Sequence, residues 1–256
     1  MNFGVQTFTI RKKQKKSIRE AYLPLISLGV RSFEVARIDF TEQNAEELKA
    51  LSEEFGIEIS AIQVKPKQVF GEVDRILRFC SISGCNRVII SMLPFDCILG
   101  KDEKFYSFIE KLDAQFDLYA SHGITLGYHH HNWEYIPLPG GGNRMSELLR
   151  KTERIRFVHD TYWTARCGIC PTVQIKEFGH RLLGVHLRDL SFKKRGIKVL
   201  PTDCHVGGGV IDFEEVLRSL EESGCEYAVI EQNTKAPYED IEKSYLYLKS
   251  IKTSKE

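Results

Sequence analysis

Three histidines in a row, His129, His130 and His131, stand inside the stretch LGYHHHNWEY at residues 126–135, and Glu134 follows them closely. Imidazoles beside a carboxylate are the material of a metal site or a proton relay. Three other stretches end on the same residue types. RFVHD closes at Asp160, RLLGVHLRD carries His186 and Arg188, and YAVIEQ carries Glu231. Glu134, Asp160, His186 and Glu231 together offer mostly oxygen ligands with one imidazole. That set suits Mn²⁺ or Mg²⁺ and also admits Co²⁺ or Zn²⁺. Read singly, each is an ordinary polar strand terminus; as four successive strand ends they point to one divalent ion. Cys167 and Cys170 form CGIC, but a zinc ribbon needs a second correctly spaced pair, and the sequence has none.

Something must carry these residues to one place. Strand-like runs at residues 3–8, 31–37, 57–64, 87–93, 124–130, 155–160, 181–189 and 227–232 alternate with helical stretches. A long loop is expected from about Leu190 to Gly209, and a frayed tail at 252–256. Strands alternating with helices imply a parallel sheet, and eight such units fit a closed (β/α)8 TIM barrel of α/β class, one domain over residues 1–256. An open doubly wound sheet usually shows a glycine-rich turn after its first strand; here that turn reads TIRKKQKK. In a barrel the chemistry sits at the C-terminal ends of the strands. Side-chain alternation then turns His129 and His131 inward and His130 away. By the same parity His186 and Arg188 face in, with Leu183, Val185 and Leu187 outward. Glu34 faces in from strand two, and Glu231 ends strand eight.

Composition narrows the partners. The chain has 256 residues, 42% hydrophobic and 28% charged, with a formal net charge of +1. Nucleic-acid binding usually shows a basic excess, so the balance favours a small-molecule enzyme. The basic run RKKQKK, residues 11–16, is expected on a solvated helix face. No apolar run approaches the length of a membrane span, and the N-terminus lacks a leader pattern. The seven scattered cysteines fit a reducing compartment. A cytoplasmic location without membrane attachment is therefore expected.

The stretches GVQTFTIR, LGYHHHNWEY, HDTYWTARCGICPTVQIKEFGHRLLGVHLRD, VGGGVIDF and AVIEQ resemble the sugar phosphate isomerase/epimerase family, whose fold is the xylose isomerase-like barrel. The resemblance runs over nearly the whole chain. It implies one divalent metal ion at the barrel mouth, carried over onto Glu134, Asp160, His186 and Glu231. Some relatives place the strand-five carboxylate nearer the position of His129, which makes that histidine a ligand or a substrate contact. The implied reaction is isomerisation or epimerisation of a sugar or sugar phosphate through an enediolate. Glu134 and Glu231 would move the protons, and His129, His131, Arg188, Trp163 and Glu34 would contact the substrate, with Trp133 also near the pocket. Two departures stand out. Arg188 occupies a position where relatives commonly have lysine, and it cannot replace a lysine acting as base. Gly208 stands where relatives commonly carry an acidic residue.

Three rivals share the barrel: a lyase or dehydratase acting on a keto-sugar or inositol derivative, a non-catalytic sugar-binding barrel, and a zinc apurinic-site endonuclease. The last needs histidines on earlier strands, whereas strand three ends in AIQVK and strand four in SMLP. Barrels of this type often pair, which leaves a homo-oligomer open.

Overall fold

A computed structural model describes residues 2–100 and 102–253. The barrel strands among these are β1 (Phe3–Gln6), β2 (Ser32–Ala36), β3 (Glu58–Val64), β4 (Arg87–Ile90), β5 (Thr125–His129), β6 (Arg156–Asp160), β7 (Leu182–Leu187) and, after the hairpin strands β8 (Asp189–Arg195) and β9 (Lys198–Cys204), β10 (Tyr227–Ile230). They pair in parallel and close in the order β1-β10-β7-β6-β5-β4-β3-β2, so the chain is a TIM barrel.

Local signals set the helix limits. Thr41 accepts a hydrogen bond from Asn44 N to start the helix Glu42–Phe55, and Gly56 ends it at φ 64°. Asp212 caps Phe213–Ser223 in the same way. The helices lay their apolar faces on the outside of the strands, where Tyr22, Leu48, Phe79, Leu112 and Phe178 are buried in one continuous cluster. A second, smaller cluster fills the barrel interior: Ala61, Ile89, Val158, Leu183, Tyr227 and Val229.

Three expectations change. Leu183 does not face the helices. The register between β6 and β7 slips, with Phe157 opposite Leu182 and Val158 opposite Gly184, and this bulge turns Leu183 into the barrel. The region from Leu190 to Gly209 is not all loop. β8 and β9 form an antiparallel hairpin, with Arg195 opposite Lys198 across a two-residue turn whose Gly196 has φ 63°. The closing helix runs Pro237–Thr253, so Lys252 and Thr253 continue it, and 254–256 lie outside the described residues.

The glycine-rich turn after the hairpin hangs on one buried carboxylate. Asp189 accepts from the backbone N–H groups of Leu190, Gly207, Gly209 and Ile211 at 2.8–3.2 Å. A side chain at Gly208 would lie 2.6 Å from the His205 imidazole, so His205 fills the space that an acidic residue would take.

Candidate metal centre and substrate cavity

Strand register gathers the polar ends. Asp160 lies opposite His186 between β6 and β7, and Val229 lies opposite His186 between β7 and β10, so Glu231, two residues after Val229, rises above His186. His129 closes β5 beside β6. One ligand atom from each of His129, Asp160, His186 and Glu231 lies within 4.8 Å of the other three, and all four residues are buried.

Both histidines are anchored by the far nitrogen. His129 Nδ1 lies 3.3 Å from the Ser91 carbonyl, which only accepts, while Nε2 faces the shared centre, 3.4 Å from Asp160 Oδ2. His186 Nε2 lies 2.9 and 3.0 Å from the two Glu34 oxygens, leaving Nδ1 toward the shared centre. Nδ1 is 2.8 Å from Glu231 Oε2 but out of hydrogen-bond alignment, and both atoms are buried without a hydrogen-bond partner. Ligating histidines are typically held in this way by an outer carboxylate or carbonyl. The donor set, two imidazoles and two carboxylates, therefore fits one divalent cation.

The electrostatics follow from burial and crowding. Burial alone would lower His186, but Glu34 and Glu231 overcome it and raise the imidazole to about 10. Burial would raise Glu231, yet Arg188 and His186 hold it down at about 2. Asp160 is held well below the usual carboxylate range against its own burial, chiefly by Arg188 and then His129. Arg188 donates from Nη1 to Asp160 Oδ2 at 3.1 Å and to Glu231 Oε1 at 3.3 Å, and from Nη2 to Asp203. Its guanidinium also lies 4.8 Å from the Tyr162 ring centre and 5.4 Å from that of Trp163.

Above the cluster opens a cavity of about 350 Å³, bordered by His129, His131, Trp163, Arg188, Asp203 and Glu231 among others. Burial and the neighbouring His129 push His131 down to about 3, so it is neutral at pH 7, and its Nδ1 has no hydrogen-bond partner. Asp203 Oδ1 is likewise buried and unpartnered, and burial outweighs Arg188 to raise this carboxyl.

Not every expected residue arrives. Glu134 is fully buried but turned away from the cluster: Oε1 accepts from the Tyr128 hydroxyl on the outer face of β5, and Oε2 accepts from His131 N at 2.8 Å. With both oxygens engaged there, it closes the loop after β5, and His129 stands in the cluster instead. Glu34 lies beneath His186 rather than in the cavity wall, and its Oε2 also accepts from Tyr227 Oη at 2.8 Å. Trp133 packs against the core, while Trp163 reaches the cavity. His130, read only as outward-facing, is buried and accepts from Asp160 N at 3.0 Å, so it fixes the backbone of a cluster residue. Asp203 escaped notice because it sat in an apparent loop.

Comparison with known proteins agrees with this fold. A sequence profile described as the xylose isomerase-like TIM barrel matches residues 25–251. No curated protein matches the chain. Among solved structures, a sugar phosphate isomerase/epimerase from Parabacteroides distasonis is similar, at 18% identity and TM-score 0.77, covering 97% of this chain and 93% of that one. A probable 3-DHS dehydratase from Bacillus anthracis, involved in petrobactin synthesis, is similar at 12% identity and TM-score 0.74, with 97% and 99% covered. A xylose isomerase-like TIM barrel protein from Mycobacterium smegmatis, in complex with magnesium, is similar at 14% identity and TM-score 0.67, with 91% and 87% covered. At these identities the structural likeness speaks to fold, and the profile match over most of the sequence speaks to descent. The chain belongs to the xylose isomerase-like TIM barrel family.

Proposed function

We propose that the protein is a divalent-metal-dependent isomerase or epimerase of a sugar or sugar phosphate. One observation carries this reading: four inward ligand atoms within 4.8 Å of one another at the barrel mouth, under a cavity sized for a small molecule. His129, Asp160, His186 and Glu231 would hold the ion, which when bound supplies Lewis-acid polarisation of a carbonyl and its neighbouring hydroxyl. The chain's own groups do the rest. Asp203 and Glu231 are the carboxylates bordering the cavity, and Asp203 takes the proton-moving role first assigned to Glu134. His131 presents a neutral imidazole to a hydroxyl. Trp163 walls the cavity, and Arg188 holds Asp160, Glu231 and Asp203 in one array.

A second reading has one observation in its favour. Burial raises the Asp203 carboxyl, which suits it to hand a proton to a leaving hydroxyl, the step that turns isomerisation chemistry into dehydration.

The test is to load the protein with manganese and incubate it in D₂O with a panel of ketoses, ketose phosphates and keto-inositols, following the products by NMR. Deuterium entering the carbon beside the carbonyl, with isomer or epimer formed, is the expected result. Asp203→Asn should lose about a hundredfold in rate with metal content unchanged. An unsaturated product would move the assignment to the dehydratase. Absence of bound metal, or no exchange with any compound, would leave a sugar-binding barrel without catalysis.

A further inference from the structure

A second and larger chamber, of about 600 Å³, lies beside the substrate cavity, over the C-terminal ends of β2 and β3. The two chambers share Arg37, Gln63 and Ser91 in their walls, so they adjoin. Arg37 adopts φ 63°, alone among the described non-glycine residues in having positive φ. Strained backbone of this kind persists where the surrounding structure enforces it, often around ligands. The outer chamber is basic. Lys15, Arg37, Lys65 and Lys67 border it, against Asp39 and Glu72, and Glu72 is already paired with Arg75 at 2.9 Å. Among the described residues no carboxylate forms an ion pair with any of those four cations. Gln14 adds a buried acceptor. It is 3% exposed and belongs to the chamber wall, its Nε2 donates to Ala36 O at 2.5 Å, and its Oε1 is buried with no partner. A buried oxygen without a donor is uncommon, and this one belongs to a residue of the chamber wall. Of the basic run RKKQKK, Gln14 and Lys15 border this chamber, while Lys12, Lys13, Lys15 and Lys16 keep the exposure expected of a solvated face.

We infer that the outer chamber binds an anionic group, phosphate or carboxylate, on a hydroxyl-bearing part of the substrate remote from the carbon that reacts at the histidine–carboxylate cluster. This rests on the reading of the inner cavity as the substrate site. It adds that the substrate is extended and acidic, with its charge on the β2–β3 side of the mouth.

Calorimetric titration of matched probes tests it: fructose against fructose 6-phosphate, and glucose against glucuronate. At least one anionic member should bind about tenfold or more tightly than its neutral partner, with the gain falling as salt is raised. Which pair shows the gain distinguishes phosphate from carboxylate. The gain should disappear in Lys65→Glu/Lys67→Glu, whose substituted side chains are exposed. It should survive in Lys12→Glu/Lys13→Glu, which changes net charge equally away from the chamber wall. It should also survive in Asp160→Ala, so a failure of the metal reading leaves this result legible. Equal binding within both pairs overturns the inference, as does a gain that persists in the Lys65/Lys67 variant or is lost in either of the other two.

Discussion

His186 is gripped from two sides by carboxylates, and the pair Glu34–Tyr227 behind it decides which nitrogen faces the centre. Glu134 has the opposite fate. It is a buried carboxylate close in sequence to the histidine–carboxylate cluster, yet its oxygens close a local loop through Tyr128 and His131. Glu134→Gln should therefore leave metal content unchanged while weakening two hydrogen bonds to a buried acceptor. The cost expected is about 2 kcal/mol, a fall in melting temperature of roughly 4–8 °C. Loss of metal in that variant would place Glu134 among the ligands after all. At this scale the positions of Asp160, His186 and Glu231 were legible in the sequence, because Asp160 closes β6 and the other two follow the inward parity at the ends of β7 and β10. Glu134 was not, because a residue beyond a strand end follows the path of its loop, which alternation does not govern. The middle histidine, His130, was legible in direction only. That it accepts a hydrogen bond from Asp160 N depends on β5 and β6 lying side by side.

Strands and helices transmit packing into the site. Tyr227 projects into the barrel because the opposing β7 residue is Gly184. A Cβ there would stand 2.4 Å from the Tyr227 ring. The ring cannot yield without moving its hydroxyl off Glu34, and Glu34 is what orients His186. Gly184→Ala is expected to cost about 1–3 kcal/mol from overpacking. It should also weaken metal affinity, by roughly 10–100-fold, because the group supporting a ligand is displaced. Calorimetric unfolding alongside metal titration separates the two effects; a variant destabilised but binding metal normally would break the link drawn from Gly184 through Glu34. Elements of regular period were readable: the eight barrel strands and the longer helices fall where hydrophobic periodicity and caps place them, whereas the short helices Pro66–Gly71, Phe95–Leu99 and Thr161–Arg166 are too brief to show a period. The bulge at Leu183 was not, since it arises from a register slip between two strands remote from any local pattern. The β8–β9 hairpin was hidden for another reason. Its residues 192–200 are exposed on both faces, so no buried stripe marks them, and Pro201 interrupts the second strand.

At the scale of the whole molecule, three buried carboxylates (Glu34, Asp160 and Glu231), the largely covered Asp203 and one buried permanent cation, Arg188, share one barrel mouth. Without a metal, His186 carries a proton that offsets part of this negative charge. Its raised pKa stabilises the metal-free fold fully below the unfolded value of about 6.5, and that contribution is lost as pH climbs through about 10. Metal binding through Nδ1 must expel the proton, so the ion competes better as pH rises. From pH 7.5 to 6.0 the apparent affinity should fall about 30-fold, or roughly 2 kcal/mol. With manganese at about 100 times its dissociation constant at pH 7.5, the fold should gain about 2.7 kcal/mol, a rise in melting temperature of roughly 5–10 °C. The same manganese concentration at pH 6.0 should give a much smaller rise, and a chelator should abolish both. Asp160→Ala should melt at the same temperature with and without manganese. A manganese shift independent of pH would mean that His186 gives up no proton on binding. A shift retained in Asp160→Ala would place the ion elsewhere on the barrel.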